Sequence, residues 1–366
     1  MPRWTEVVTG LPASVPFVGP EAQERALGRP FAARLGANES AFGPSPAAIE
    51  AMREAAAGAW MYGDPECHAL RAAIAAHHDV APENVVVGGG IDGLFGVIAR
   101  LTLSPGTPVV TSAGAYPTFT YQTAGAGGVT HTVPYRDDHE DPDALLAEVR
   151  RLDAPLVYLS NPDNPMGSWL SAARVEAMIR ALPEGTLLCL DEAYADFAPP
   201  GTLPPLDMTE TRVLRLRTFS KGYGLAGLRV GYALGPKEVI AMFDRLRDHF
   251  GVGRVAQAGA LAALKDQDHL ADTRRRVTAA KAEIGSIGAR HGLTALPSAT
   301  NFVTLDCGRD GAFARRLLQA LAQRGVFVRM PFVPPGDRCI RVTAGPTPLL
   351  DAFERALAPA LADAHA

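Results

Sequence analysis

From Val85 onward the chain alternates short apolar, β-branched runs with segments of helical period, and this alternation most narrowly limits what it can fold into. Apolar strands separated by helix-length connections build a mostly parallel central sheet with helices on both faces, an α/β architecture. The expected strands are 85–87, 108–111, 128–133, 156–160, 186–190, 213–217 and 228–234. Ligands of open α/β sheets bind outside the carboxyl ends of the strands. Polar clusters fall at four such ends: Gly88-Gly89-Gly90, Asn161-Pro162-Asp163-Asn164-Pro165, Asp191-Glu192-Ala193-Tyr194 and Ser220-Lys221. Together they argue for one site.

The flanks read differently. Residues 1 to about 32 are expected to form an irregular arm punctuated by Pro2, Pro12 and Pro16. Ser45 and Pro46 open a helix to about residue 57, and Asp64-Pro65 repeats that start signal for a helix to about residue 78. Beyond about residue 254 come helices rich in alanine and charge, one spanning about 266–290, and then a smaller α+β unit. Its strands are expected at 301–305, 326–329 and 339–343, its helices near 311–323 and 346–361. The expected division is an arm over 1–40 that joins the small domain or a partner subunit, a large domain over 41–253 and a small domain over 254–366.

Composition excludes several roles. A formal charge of −4 with no basic run gives no attraction to nucleic acid or anionic membrane, and no run of about 18 apolar residues predicts a membrane span. Residues 1–17 lack the apolar core of a signal peptide. Cys67, Cys189, Cys307 and Cys339 show no CxxC pairing, which suits reduced thiols in the cytoplasm rather than disulfides or zinc. His77-His78-Asp79 reads as a polar helix end, because adjacent histidines point about 100° apart on a helix.

The chemistry concentrates between Thr218 and Gly231. Lys221 stands beside Ser220 and Gly222, and Arg229 follows within the apolar run 227–234, with its nearest carboxylates in sequence far away. A guanidinium in such a run calls for a buried anion, from elsewhere in the chain or from a ligand. Thr218 and Ser220 hydroxyls, glycine-rich backbone and Arg229 make a phosphate cradle; a lysine beside it can attack a carbonyl carried by the phosphate's owner. That combination describes pyridoxal phosphate. The stretch is not a P-loop, since no Gly-x4-Gly-Lys-Ser/Thr precedes it.

Such a cofactor asks for four residue types. Lys221 is the candidate to bond the cofactor and then shuttle the proton between Cα and C4′. Asp191 ends an apolar strand and can hold the pyridine nitrogen protonated, or else cap a helix. Tyr194 and Asn164 can reach the ring oxygen O3′. The amides of Ile91 and Asp92, opening a helix after the glycine triplet, can join Thr218, Ser220 and Arg229 on the phosphate, although a tight turn also explains the glycines. Arg341 can supply a bidentate fork to the amino acid's carboxylate.

These residues resemble a known family. The stretch 218–231 resembles the lysine signature of class I/II aminotransferases, and more narrowly that of histidinol-phosphate aminotransferases. The resemblance extends to Asn38-Glu39-Ser40, Tyr62, Asn161-Pro162-Asp163-Asn164-Pro165, Asp191-Glu192-Ala193-Tyr194 and Arg341. It implies fold type I of the pyridoxal-phosphate enzymes and a homodimer in which Tyr62 reaches the neighbour's cofactor phosphate. It further implies Phe119 stacked on the pyridine ring, and Asn38, Arg329 and Arg341 at the substrate, Arg329 on its phosphate. The implied reaction moves an amino group from a donor, best L-histidinol phosphate, to 2-oxoglutarate. An aromatic or other amino acid, or a decarboxylase or lyase on the same scaffold, is the alternative, and a cofactor-binding regulator is opposed by the lack of a helix-turn-helix or basic segment. Three departures bear on the substrate: Ile91-Asp92-Gly93 in the glycine loop, Phe17 where many members have tyrosine, and the proline-rich segment 330–338.

Overall fold

Seven of the expected runs pair into one sheet: β1 (Val85–Gly88), β2 (Pro108–Ser112), β3 (Val129–Val133), β4 (Leu156–Ser160), β5 (Leu187–Asp191), β6 (Val213–Thr218) and β7 (Gly231–Leu234). Their spatial order is β1-β7-β6-β5-β4-β2-β3. All neighbouring pairs are parallel except those of β7, which runs against both β1 and β6. The other six strands therefore present their carboxyl ends along one edge. This computed structural model describes residues 2–13 and 17–365, so Met1 and Pro16 of the expected arm lie outside it.

Side-chain alternation divides the sheet residues between two cores. Val86, Leu156, Tyr158, Cys189, Leu216 and Ala233 pack under the helix Gly90–Thr102 on one face. Val157, Leu159, Leu188 and Leu190 pack under Pro142–Leu152 and Ala172–Ala181 on the other. The expectation of helices on both faces holds. Val85 and Val87 extend that second face toward Pro46–Ala56 and Arg254–Lys265.

A separate core joins the helices Gln267–Arg290, Gly311–Gln323 and Thr347–His365 to the antiparallel pair Phe302–Asp306 and Cys339–Thr343. Ala33 and Leu35 belong to it, and Ala33–Arg34 pairs in parallel with Val326–Phe327. On these cores we propose a division near residue 40, with the arm joining the smaller core. The expected second boundary at 253 is corrected, because the helix Arg254–Lys265 packs with Val85 and Val87 in the large core, and we propose the boundary near residue 266 instead. None of the described helices is long and apolar enough to cross a membrane.

Three local expectations need correcting. The arm is partly helical: Pro20–Leu27 starts on proline and stops at Gly28 in the left-handed region, φ 69°. The helix after Asp64 begins later, at His68, because the Asp64 carboxylate accepts the Glu66 and His68 amides (3.0 and 2.8 Å) and Cys67 is left-handed, φ 49°. The run 228–234 is strand only from Gly231. Residues Ala226–Leu228 form a 3-10 turn and Arg229 is left-handed, φ 54°.

Candidate active site

The carboxyl edge of the sheet opens into a cavity of about 600 Å³ that also reaches residues of the smaller core. Lys221 lies just past β6, and its Nζ donates to the Asn38 carbonyl at 3.0 Å. Burial pushes its amine down to about 8, and the Arg341 charge adds to the shift. A lysine held this way is largely a nucleophile by mildly alkaline pH.

Asp191 closes β5. Its Oδ1 accepts the Ala193 amide at 2.9 Å and its Oδ2 the Tyr158 hydroxyl at 2.8 Å. Burial pushes this carboxyl up to about 6, against those two hydrogen bonds. Tyr194 is buried; its hydroxyl accepts from Asn38 Nδ2 at 2.9 Å, and its ring centroid lies 5.7 Å from Lys221 Nζ.

The cradle assembles from three elements. Thr218 Oγ1 donates to Ser220 Oγ at 2.9 Å and accepts the Ser220 amide at 3.0 Å. Arg229 donates weakly to Ser220 Oγ at 3.4 Å and pairs with Asp92 at 3.1 Å. The helix Gly90–Thr102 begins here with no side-chain cap, so its first amides, at Ile91 and Asp92, stay available. Two glycines leave the space: a Cβ on Gly90 would stand 2.5 Å from Arg229 Nη2, and one on Gly231 2.8 Å from the Ile91 nitrogen. Hydroxyls, a guanidinium and uncapped amides converging on a hollow that side chains would fill are what a phosphate requires, and the donor set beside Lys221 and Asp191 fits pyridoxal phosphate. The expected burial of Arg229 is corrected: its side chain is 48% exposed, and its counter-ion within the chain is Asp92.

On the far side stand two arginines. Arg341 is half-buried, donates to Asn164 Oδ1 and, at 3.1 Å, to the Gly36 carbonyl, and leaves its buried Nε without a partner. Burial pushes its guanidinium down. Arg329 lies between the rings of Phe17 and Phe332, at 4.5 and 5.3 Å. Burial, with the Arg341 charge, pushes it down to about 10.

Two expected residues stand apart. Phe119 is buried behind the cavity wall, stacked on Tyr158 at 4.6 Å, and Tyr116 lines the cavity instead. Tyr62 is 77% exposed and stacked on Phe250 at 4.5 Å, outside this chain's own cavity. Sequence reasoning also missed Tyr158, hidden in an apolar strand, and the buried Glu192, which pairs with both Arg215 and Arg217, the latter at 2.9 Å. Its signal was a carboxylate beside a strand reading Val213-Leu214-Arg215-Leu216-Arg217, where two arginines on one sheet face need an anion.

Residues 33–357 match the family described as aminotransferase class I and II. Histidinol-phosphate aminotransferases of Moorella thermoacetica and an Anaeromyxobacter species are 34% and 38% identical, covering 99% and 94% of this chain and 94% and 95% of theirs. The crystal structure of the histidinol-phosphate aminotransferase from Sinorhizobium meliloti in complex with pyridoxal-5′-phosphate superposes with a TM-score of 0.96 at 50% identity, covering 99% of this chain and 98% of that one.

Proposed function

We propose that this chain, which belongs to the class I and II aminotransferases, takes its amino group from L-histidinol phosphate and passes it to 2-oxoglutarate. It is a pyridoxal-phosphate-dependent transaminase. The observation that carries the donor is the pairing of Arg329 and Arg341. They exchange backbone hydrogen bonds, 3.2 and 2.6 Å, and both line the cavity. Among the described residues neither forms an ion pair, so two guanidinium groups await an anion. A phosphate dianion matches that pair, and the two carboxylates of 2-oxoglutarate can take the same places in the return half. The names of the relatives point the same way.

Bound pyridoxal phosphate supplies an aldehyde to capture the donor's amine and a ring to spread the electrons left when the Cα proton departs. Lys221 would be the base that takes that proton and the acid that returns it at C4′, since its neutral amine is accessible near neutral pH. Asn38 holds that amine through its carbonyl and, through its side chain, holds Tyr194. Asp191 would hold the ring nitrogen's proton, and Tyr194 with Asn164 would lie at the ring oxygen. Thr218, Ser220, Arg229 and the amides of Ile91 and Asp92 would anchor the phosphate, so that the residues stay fixed while only a proton moves. Arg341 would grip the substrate's anion and Arg329 close on it from the ring sandwich.

A homodimer is part of the proposal. Trp60 and Tyr62 are 84% and 77% exposed, and with Phe250 they leave an aromatic patch uncovered in one chain. A second copy would cover it and bring Tyr62 to the neighbour's cradle. A cytoplasmic setting is proposed on the four free, buried thiols.

The test is a comparison of kcat/KM for L-histidinol phosphate, L-phenylalanine, L-tyrosine and L-aspartate, with glutamate formed from 2-oxoglutarate as the readout. Preference for the phosphorylated donor supports the proposal. Preference for an unphosphorylated one overturns it.

A further inference from the structure

Tyr158 lies in the middle of β4, fully buried, and nothing in its apolar strand marks it as functional. In the parallel pairing of β4 with β5, Tyr158 lies opposite Cys189 and Ser160 opposite Asp191. Residues two apart share a face, so Tyr158 and Asp191 are diagonal neighbours on one side of the sheet. The hydroxyl reaches across that diagonal to Asp191 Oδ2 at 2.8 Å. The ring is held by its stack on Phe119, 4.6 Å and 24° between planes, and by an edge contact with Phe95 at 5.7 Å. So held, the hydroxyl stays aimed at the carboxylate.

We propose that Tyr158 is a positioning residue for Asp191, holding its carboxylate in the charged form and turned toward the cavity. With Oδ1 engaged by the Ala193 amide and Oδ2 by Tyr158, the carboxylate plane cannot rotate. Its surroundings oppose its charge. Burial and the carboxylates of Asp92 and Glu192 favour the protonated form, and burial pushes the nearby Glu140 carboxyl well up as well. Glu192 is itself neutralised by Arg215 and Arg217, and the remaining titratable neighbours, Tyr116, Tyr194 and Cys189, carry no positive charge. The Tyr158 hydroxyl is thus one of two donors keeping an acid ionised at a site that burial would neutralise, and only the ionised form can hold a proton on a ring nitrogen.

The inference rests on the transaminase reading only in taking pyridoxal phosphate as the cavity's ligand, and its test needs no amino donor. Apoenzyme is titrated with pyridoxal phosphate from pH 6 to 9 for the unsubstituted protein, Tyr158→Phe, Asp191→Asn and the double variant. Phenylalanine keeps the ring and removes one oxygen, and unfolding midpoints check the fold. Tyr158→Phe should weaken cofactor binding about tenfold at neutral pH, with the loss shrinking as pH rises and the carboxyl ionises unaided. Adding it to Asp191→Asn should change nothing further. Phe119→Leu, which loosens the ring but keeps the hydroxyl, should lower affinity with the same pH dependence. Unchanged affinity in Tyr158→Phe, an equal loss in the Asp191→Asn background, or a pH-independent loss in Phe119→Leu would overturn the proposal. An error in the donor would instead appear only in the donor comparison and leave these affinities as expected.

Discussion

Lys221 Nζ hydrogen-bonds the backbone carbonyl of Asn38, 3.0 Å away, so the amine at the end of β6 is tethered by the segment that leads out of the amino-terminal arm. The same Asn38 holds Tyr194 by its side chain and Thr343 by its backbone amide, at 2.9 and 3.1 Å. One residue thereby links the sheet edge to the smaller core.

Lys221→Ala should abolish turnover and keep the fold. Its folded-state amine sits at about 8, below the ordinary 10.5, so the folded apoenzyme binds fewer protons than the unfolded chain between those values. Stability of the unsubstituted apoenzyme should therefore rise with pH through that window, and the variant should lack the rise. Thermal unfolding of the two apoproteins from pH 7 to 10 checks this; parallel curves would contradict the burial of the charge.

Arg329→Ala should lower kcat/KM for L-histidinol phosphate about tenfold or more and spare unphosphorylated L-histidinol. Equal losses for both donors would remove Arg329 from the phosphate.

Tyr62→Ala and Lys221→Ala enzymes, mixed and allowed to exchange subunits, should regain activity above either alone. In the heterodimer one site combines an intact Lys221 with a Tyr62 from the neighbour. If mixing adds nothing, Tyr62 does not act across an interface.

Glu192→Ala should destabilise the apoenzyme by about 3–5 kcal/mol in urea unfolding, because Arg215 and Arg217 would be left buried and unpaired. Although burial alone would raise the Glu192 carboxyl, the two guanidinium groups hold it below the ordinary carboxylate value. Its stabilising contribution is therefore present above that value and is lost as pH falls through the folded one. A loss below about 1 kcal/mol would mean that the pair behaves like an exposed one.

Much of this was legible in the sequence because the sheet is nearly all parallel. Apolar runs that end in Asp191 or Ser220-Lys221 can only be strands delivering polar groups to one edge. What escaped was decided by the path between elements. Arg229 sits in a left-handed turn that no apolar periodicity encodes, and that turn carries its guanidinium to Asp92 rather than into the core. Phe119 and Tyr116 flank the start of one helix, and packing on Tyr158 and Phe95 draws Phe119 inward while Tyr116 keeps the cavity. Tyr158 itself looked like any core aromatic, because the carboxylate it serves lies on the next strand.

The most direct measurement follows the holoenzyme's visible cofactor absorbance as L-histidinol phosphate is added without an acceptor. The band should disappear stoichiometrically, at lower concentration than with L-phenylalanine, L-tyrosine or L-glutamate, and return on adding 2-oxoglutarate as glutamate forms. A band unmoved by L-histidinol phosphate but bleached by another donor would contradict the proposed donor.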